Sequence, residues 1–286
     1  MENQTIVPTL VFTGLSDLPS LQLPLFLVFL LIYLITLTGN LLILLLIFTD
    51  SHLHTPMYFF LGTLACLDMS YSSVTVPRML FDLLNQKRVI SIRACLTQVF
   101  FFMFLGASEV SVLAVMSCDR YIAICRPLHY MQIMTWRVCV QLLSIILGFG
   151  LLLQVSCSDT FNNVLLMFLL AILFGVGILG GTFYPYIPII TTVLKMTSKH
   201  TRAKAFSTCS SHLTVVFIFY SAAFFNYFRS YSNDHYSGDK VASVVYAILT
   251  PFVNPMIYSL RNQELKSSLK KSFARSGNPN WTKTGL

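Results

Sequence analysis

The sequence predicts an all-α protein: a seven-transmembrane-helix bundle with a short amphipathic C-terminal helix. Three observations predict it. The 286 residues are 55% hydrophobic and 10% charged, where a soluble domain carries about 25% charged residues, and the mean hydropathy is +0.71. Seven apolar stretches reach or approach the roughly 20 residues that a membrane span needs. The lysines and arginines between those stretches divide unevenly, 13 on one side and 6 on the other.

Each segment carries its own signal. Residues 1–22 read as a loose, polar, extracellular tail with a glycosylation sequon at Asn3. The first span, Leu23–Phe48, lies too far from Met1 and lacks the basic start of a cleaved signal peptide. The second, Met57–Val76, is entered through Thr55, which can cap, and Pro56, which suits the first helical position. The third, Cys95–Met116, runs into Ser117–Tyr130 (SCDRYIAICRPLHY). There Asp119, Arg120 and Tyr121 sit where a membrane helix leaves the bilayer, and charges at such a boundary are usually functional. Pro127 ends that helix. The fourth, Val138–Val155, is 18 residues, about 27 Å of helix and barely a span. The fifth, Val164–Val193, carries four glycines, Pro185 and Pro188, tolerated in lipid only where neighbours satisfy the freed backbone. Phe206–Phe228 and Val241–Leu260 complete the membrane domain, 23–260. In 261–286, Leu265, Leu269 and Phe273 recur every four residues with Lys266, Lys270 and Lys271 between them. That spacing gives an amphipathic helix on an anionic leaflet; a disordered basic tail is the other reading.

The lysine and arginine bias places the N-terminus outside and the C-terminus in the cytoplasm of a multi-pass plasma-membrane protein. The net charge of +8 is then a topological signal and not a nucleic-acid surface. No CxxC, Cys/His cluster, P-loop, GxSxG or HExxH occurs, so neither a metal site nor an ordinary enzyme has a motif, and no catalytic residue is assigned. Asn40, Asp68, Glu109 and Asn254 lie at membrane depth. A carboxylate in lipid costs several kcal/mol unless paired, neutralised or hydrated. Asp68 and Glu109 therefore predict a polar cluster with Asn254, holding water, Na⁺ or a proton; two acids that are merely protonated and hydrogen-bonded are the alternative. Pro255 frees a backbone carbonyl beside that cluster. No other cofactor is expected.

The chain resembles the olfactory (odorant) receptors, rhodopsin-like G-protein-coupled receptors, over nearly its whole length. Gly39-Asn40 is similar to the family's first-span mark, and His54–Phe60 (HTPMYFF) to its second-span entry. Ser117–Tyr130 resembles its Asp-Arg-Tyr motif, Lys204–Leu213 (KAFSTCSSHL) its sixth-span start, and Pro251–Asn262 (PFVNPMIYSLRN) its seventh-span end. The resemblance implies a receptor without catalysis. A small, volatile, mostly apolar odorant would bind among the outer halves of the helices, and a stimulatory, olfactory-type G protein would dock inside and raise cyclic AMP. It also implies that Arg120 holds Asp119 and the sixth span at rest and turns to Tyr186, Tyr258 and the G protein on activation. Tyr121, Lys204, Asn254 and Pro255 belong to the same switch. Phe101, Phe102, Phe104, Leu105 and Ser108 in the third span, with Tyr220 and Phe224 in the sixth, are the pocket candidates. For each of them, plain helix packing or a lipid-facing position stays open.

The chain also departs from the family. The end of the fourth span and most of the long second outer loop are missing, and Ile145 stands about where the family has Trp. By family pattern Cys95 and Cys157 have both lost their partners, so a Cys95–Cys157 bond is expected. The alternative function is a truncated, non-signalling receptor-like product retained in the cell. A seven-helix transporter would need paired half-helices and inverted symmetry, which the sequence lacks.

Overall fold

The computed structural model describes residues 9–11, 19–85, 88–155, 161–228 and 236–276; Asn3 and Cys157 lie outside them. Helices dominate. The first span is α1 (Pro19–Thr49), the second α2 (Pro56–Leu84) and the third α3 (Ile92–Cys125). A short α4 (Tyr130–Ile133) precedes α5 (Trp136–Val155), the fourth span. The fifth span divides into α6 (Phe161–Phe183) and α7 (Tyr186–Lys195), and α8 (Lys199–Phe228), α9 (Tyr236–Arg261) and α10 (Gln263–Ser276) complete the α-helices among the described residues.

Among the described residues, Ser20–Thr49, Pro56–Leu84, Ile92–Cys125 and Ile172–Lys195 are helices long and apolar enough to cross a membrane. A fifth counts if Pro127–Ile133 and Trp136–Leu152, bent by 65°, form one span. α8 and α9 are comparably long, but their polar residues Ser211, His212, Thr250 and Asn254 turn inward and are buried. Together the seven spans form the expected bundle. α3 lies at its centre, packed on α2, α5, α6, α7 and α8, while α1 closes the ring against α2 and α9. The core runs through Phe60, Leu64, Val112, Leu113, Met116 and Tyr258, each no more than 2% exposed. In lipid the outward faces need no polar residues, so the exposed leucines and phenylalanines of α1 and α3 are in keeping with a membrane.

Local chemistry sets the boundaries. Pro56 occupies the first position of α2, but Thr55 makes no side-chain cap; only its carbonyl accepts from Phe59 N, at 3.0 Å. Ser91 does cap α3, accepting from Ala94 N at 3.2 Å. α5 begins two residues earlier than expected and has 20 residues, about 30 Å, a full hydrocarbon thickness. The fifth span is broken at Tyr184-Pro185, where proline removes a donor. Asn262 Oδ1 caps α10 by accepting from Glu264 N and Leu265 N at 3.0 and 3.2 Å. α10 docks through Leu265, 1% exposed, and leaves Lys266, Lys270 and Lys271 in the open, as the amphipathic pattern requires.

One element departs from the all-α expectation. β1 (Thr9–Val11) of the tail pairs antiparallel with β2 (Val89–Ser91), Leu10 opposite Ile90. The tail is therefore tied to the start of α3 at these three residues.

Candidate functional site

At one end of the bundle the Asp-Arg-Tyr residues are held by their own loop. Asp119 is 1% exposed. Its Oδ2 accepts from Arg120 Nε at 3.1 Å and also from Nη2, and its Oδ1 accepts from the Tyr130 hydroxyl at 2.8 Å. Burial and the Asp119 charge push the Tyr130 phenol well up, so it stays a donor. Both carboxylate oxygens are thus engaged. Arg120 meets the sixth span by sharing a cavity with it. Met57, Met116, Arg120, Thr208, His212 and Tyr258 line that cavity. The Lys204 side chain lies outside the described residues.

Tyr186, 4% exposed, shares a hydrogen bond with His212 Nδ1 and does not reach for Arg120. His212 Nε2 and the Tyr258 hydroxyl are buried with no hydrogen-bond partner. Tyr121 packs on the cluster of Tyr186, Ile189, Val193 and Cys209 that joins α3, α7 and α8. His212 of the sixth span and Tyr258 of the seventh therefore each keep an unpaired polar atom close to Tyr186 of the fifth. Buried polar atoms are seldom left so.

The second constellation sits in the middle of the bundle. Asp68, Glu109 and Asn254 are 1%, 2% and 3% exposed. Asn254 Nδ2 donates to both Asp68 oxygens at 3.1 Å, and Glu109 lies within electrostatic reach of Asp68. Glu109 Oε1 has no partner and remains a free acceptor inside the protein. The expected meeting of these three residues is what the structure shows. Beside them, the missing N–H of Pro255 leaves the Pro251 carbonyl without its helical donor, and Asn40 Nδ2 approaches it at 3.4 Å while also donating to Thr36 O. Hard oxygen donors of this kind suit a proton or a small cation such as Na⁺. No group of three or more His, Cys, Asp or Glu able to hold a metal occurs among the described residues.

The pocket candidates separate. Leu105 and Ser108 are buried, although the Ser108 hydroxyl is taken by Phe104 O at 2.8 Å. Phe102 is half-buried against Tyr71, and Phe104 against the bare face of Gly150. Tyr220 pairs with Thr182 at 3.2 Å across the fifth and sixth spans. Phe101 and Phe224 are corrections: 45% and 63% exposed, they lie on the outside of the bundle. Neighbours on a helix point about 100° apart, and of this pair Phe102 takes the side that meets Tyr71. Cys95 is a free, half-buried thiol, and its expected partner Cys157 lies outside the described residues.

Sequence reasoning passed over Tyr130, His212 and Tyr58, whose hydroxyl holds Glu264 at 2.8 Å. The signals were present. Tyr130 closes the same motif that contains Asp119, and His212 is a histidine at membrane depth.

A family model described as olfactory receptor matches residues 29–153 and 149–276. The dog (Canis lupus familiaris) olfactory receptor-like protein OLF4 is 39% identical, covering 96% of this chain and 98% of its own. The human (Homo sapiens) olfactory receptor 5B12 is 42% identical, covering 96% and 98%. The first alignment runs over 303 positions, more than the 286 residues of this chain, so this chain is gapped in it. The family match changes segment at 149–153, the end of α5. The crystal structure of squid rhodopsin superposes with a TM-score of 0.68 at 19% identity, covering 94% of this chain and 91% of rhodopsin, a likeness of fold.

Proposed function

The chain belongs to the olfactory receptor family, odorant-sensing G-protein-coupled receptors of the multi-pass membrane class and not enzymes, and from that premise we propose that it signals through a stimulatory, olfactory-type G protein that raises cyclic AMP. The observation that carries the proposal is the Arg120 end of the bundle. Arg120 is tied to Asp119, Tyr186 to His212, and the Tyr258 hydroxyl waits unpaired beside them. Exchanging these partners would free Arg120 for Tyr186, Tyr258 and the G protein, with Tyr121 packed beside them. A ligand biases that exchange only by binding the two states with different affinity.

The ligand in this reading is a small, volatile, mostly apolar odorant, held away from the Arg120 end near Phe102, Phe104, Leu105 and Tyr220. Asp68, Glu109 and Asn254 form the proton or Na⁺ site that couples the two halves. The N-terminus, with its Asn3 sequon, lies outside the cell and α10 lies on the cytoplasmic leaflet.

A second reading has its own observation, the gap after the fourth span. It makes the chain a shortened product that folds but is retained inside the cell. One experiment separates the two. An N-terminal tag is stained on intact cells co-expressing a receptor-trafficking chaperone, and cyclic AMP is followed across an odorant panel. Surface stain with an odorant response supports the receptor reading; stain appearing only after permeabilisation supports the second.

A further inference from the structure

We propose that the groove between α1, α9 and α10 binds one anionic phospholipid, its acyl chain lying along α1 and its headgroup at Lys266 and Lys270. Gly39, Ile43 and Leu46 of α1, Pro255 of α9, and Leu265 and Leu269 of α10 line the groove. Ile35, Leu42 and Met256 form its rims, each about two-fifths exposed. The floor exists because α1 and α9 meet closely: a Cβ on Gly39 would stand 3.3 Å from the Pro255 Cβ.

Three features select the occupant. The first is polarity. Ser259 carries the one hydroxyl among the lining side chains, and it donates to the Pro255 carbonyl, so the groove offers no spare donor. An apolar chain fits; a polar ligand does not. The second is length. From Ile35 to Leu46 the groove follows 11 residues of helix, about 16 Å, close to the roughly 15 Å depth of one hydrocarbon leaflet. The third is charge. The groove ends at α10, whose Lys266 and Lys270 are exposed one helical turn apart. Lys271 lies within electrostatic reach of Asp50, and Tyr58 holds the Glu264 carboxylate. Lys266 and Lys270 each follow a lining residue, Leu265 and Leu269, by one position, so α10 carries exposed positive charge on the same two turns that close the slot, where the phosphate of an inserted lipid would stand. A sterol would fill the slot without using these lysines, so the pair favours an anionic phospholipid.

The test uses the full chain in phosphatidylcholine vesicles containing phosphatidylserine with a diazirine on its acyl chain. After irradiation, labelled peptides are mapped by mass spectrometry. Label is expected within residues 35–46 and 255–259. Unlabelled phosphatidylserine should displace it, phosphatidylcholine should not, and Lys266→Gln with Lys270→Gln should lower it by roughly tenfold or more. Equal displacement by phosphatidylcholine, preferential displacement by cholesterol, or label confined to other helices would each overturn the proposal. The displacement series uses the unmutated chain, so poor folding of the variant cannot decide the outcome.

Discussion

Replacing His212 by leucine tests the switch most directly. The imidazole shares its Nδ1 with the Tyr186 hydroxyl, and its Nε2 has no partner. Leucine is apolar and of similar bulk, so the site keeps its packing and loses one hydrogen bond of the resting arrangement. Such a bond is worth about 0.5–1.5 kcal/mol net, which moves the resting-to-active ratio about two- to twelvefold. Basal cyclic AMP, normalised to surface receptor, should therefore rise about two- to twelvefold. Tyr186→Phe, which removes the hydroxyl that Arg120 needs next, should lower the maximal response instead. Basal cyclic AMP that is unchanged or reduced in His212→Leu, at normal surface level, would refute the reasoning: the bond would then serve the active state or neither.

Further outcomes are expected. Arg120→Ala should abolish cyclic AMP signalling with surface level near normal; signalling that persists in a reporter assay would remove Arg120 from the switch. Asp68→Asn should alter the Na⁺ or pH sensitivity of basal activity, read by ion substitution; no change in either would leave Asp68 a structural residue. Gly148→Ala adds a methyl with nothing within 4 Å and should stabilise the purified protein by up to about 1 kcal/mol, seen as a higher melting temperature. Gly39→Ala, placed 3.3 Å from Pro255, should forfeit that gain, since crowding a packed site costs about 1–3 kcal/mol.

Much of this was legible before the structure. Apolar run length gave the helices, since lipid leaves the backbone few other choices. The rule that a carboxylate at membrane depth must find a partner brought Asp68, Glu109 and Asn254 together correctly. Spacing was weaker wherever direction around a helix mattered: Phe101 and Phe224 satisfied an aromatic pattern while facing outward. Long-range pairing was hardest to read. Nothing local announces that Thr9–Val11 will meet Val89–Ser91, that Tyr130 will reach back to Asp119, or that Asn40 will serve the carbonyl left by Pro255. Those contacts depend on how elements distant in sequence are brought side by side.

The interruption at Tyr184-Pro185 also works as insulation. The shortened connection joins the fifth span through α6, whereas Tyr186 and the apolar cluster around it begin beyond the break, on α7. At Pro185 the helix lacks one backbone N–H, so the ladder between the two halves is interrupted there. Damage at the recognition end need not reach the coupling end. A chain that had lost its odorant could still engage a G protein, and co-expressed with an intact relative it would compete for that G protein.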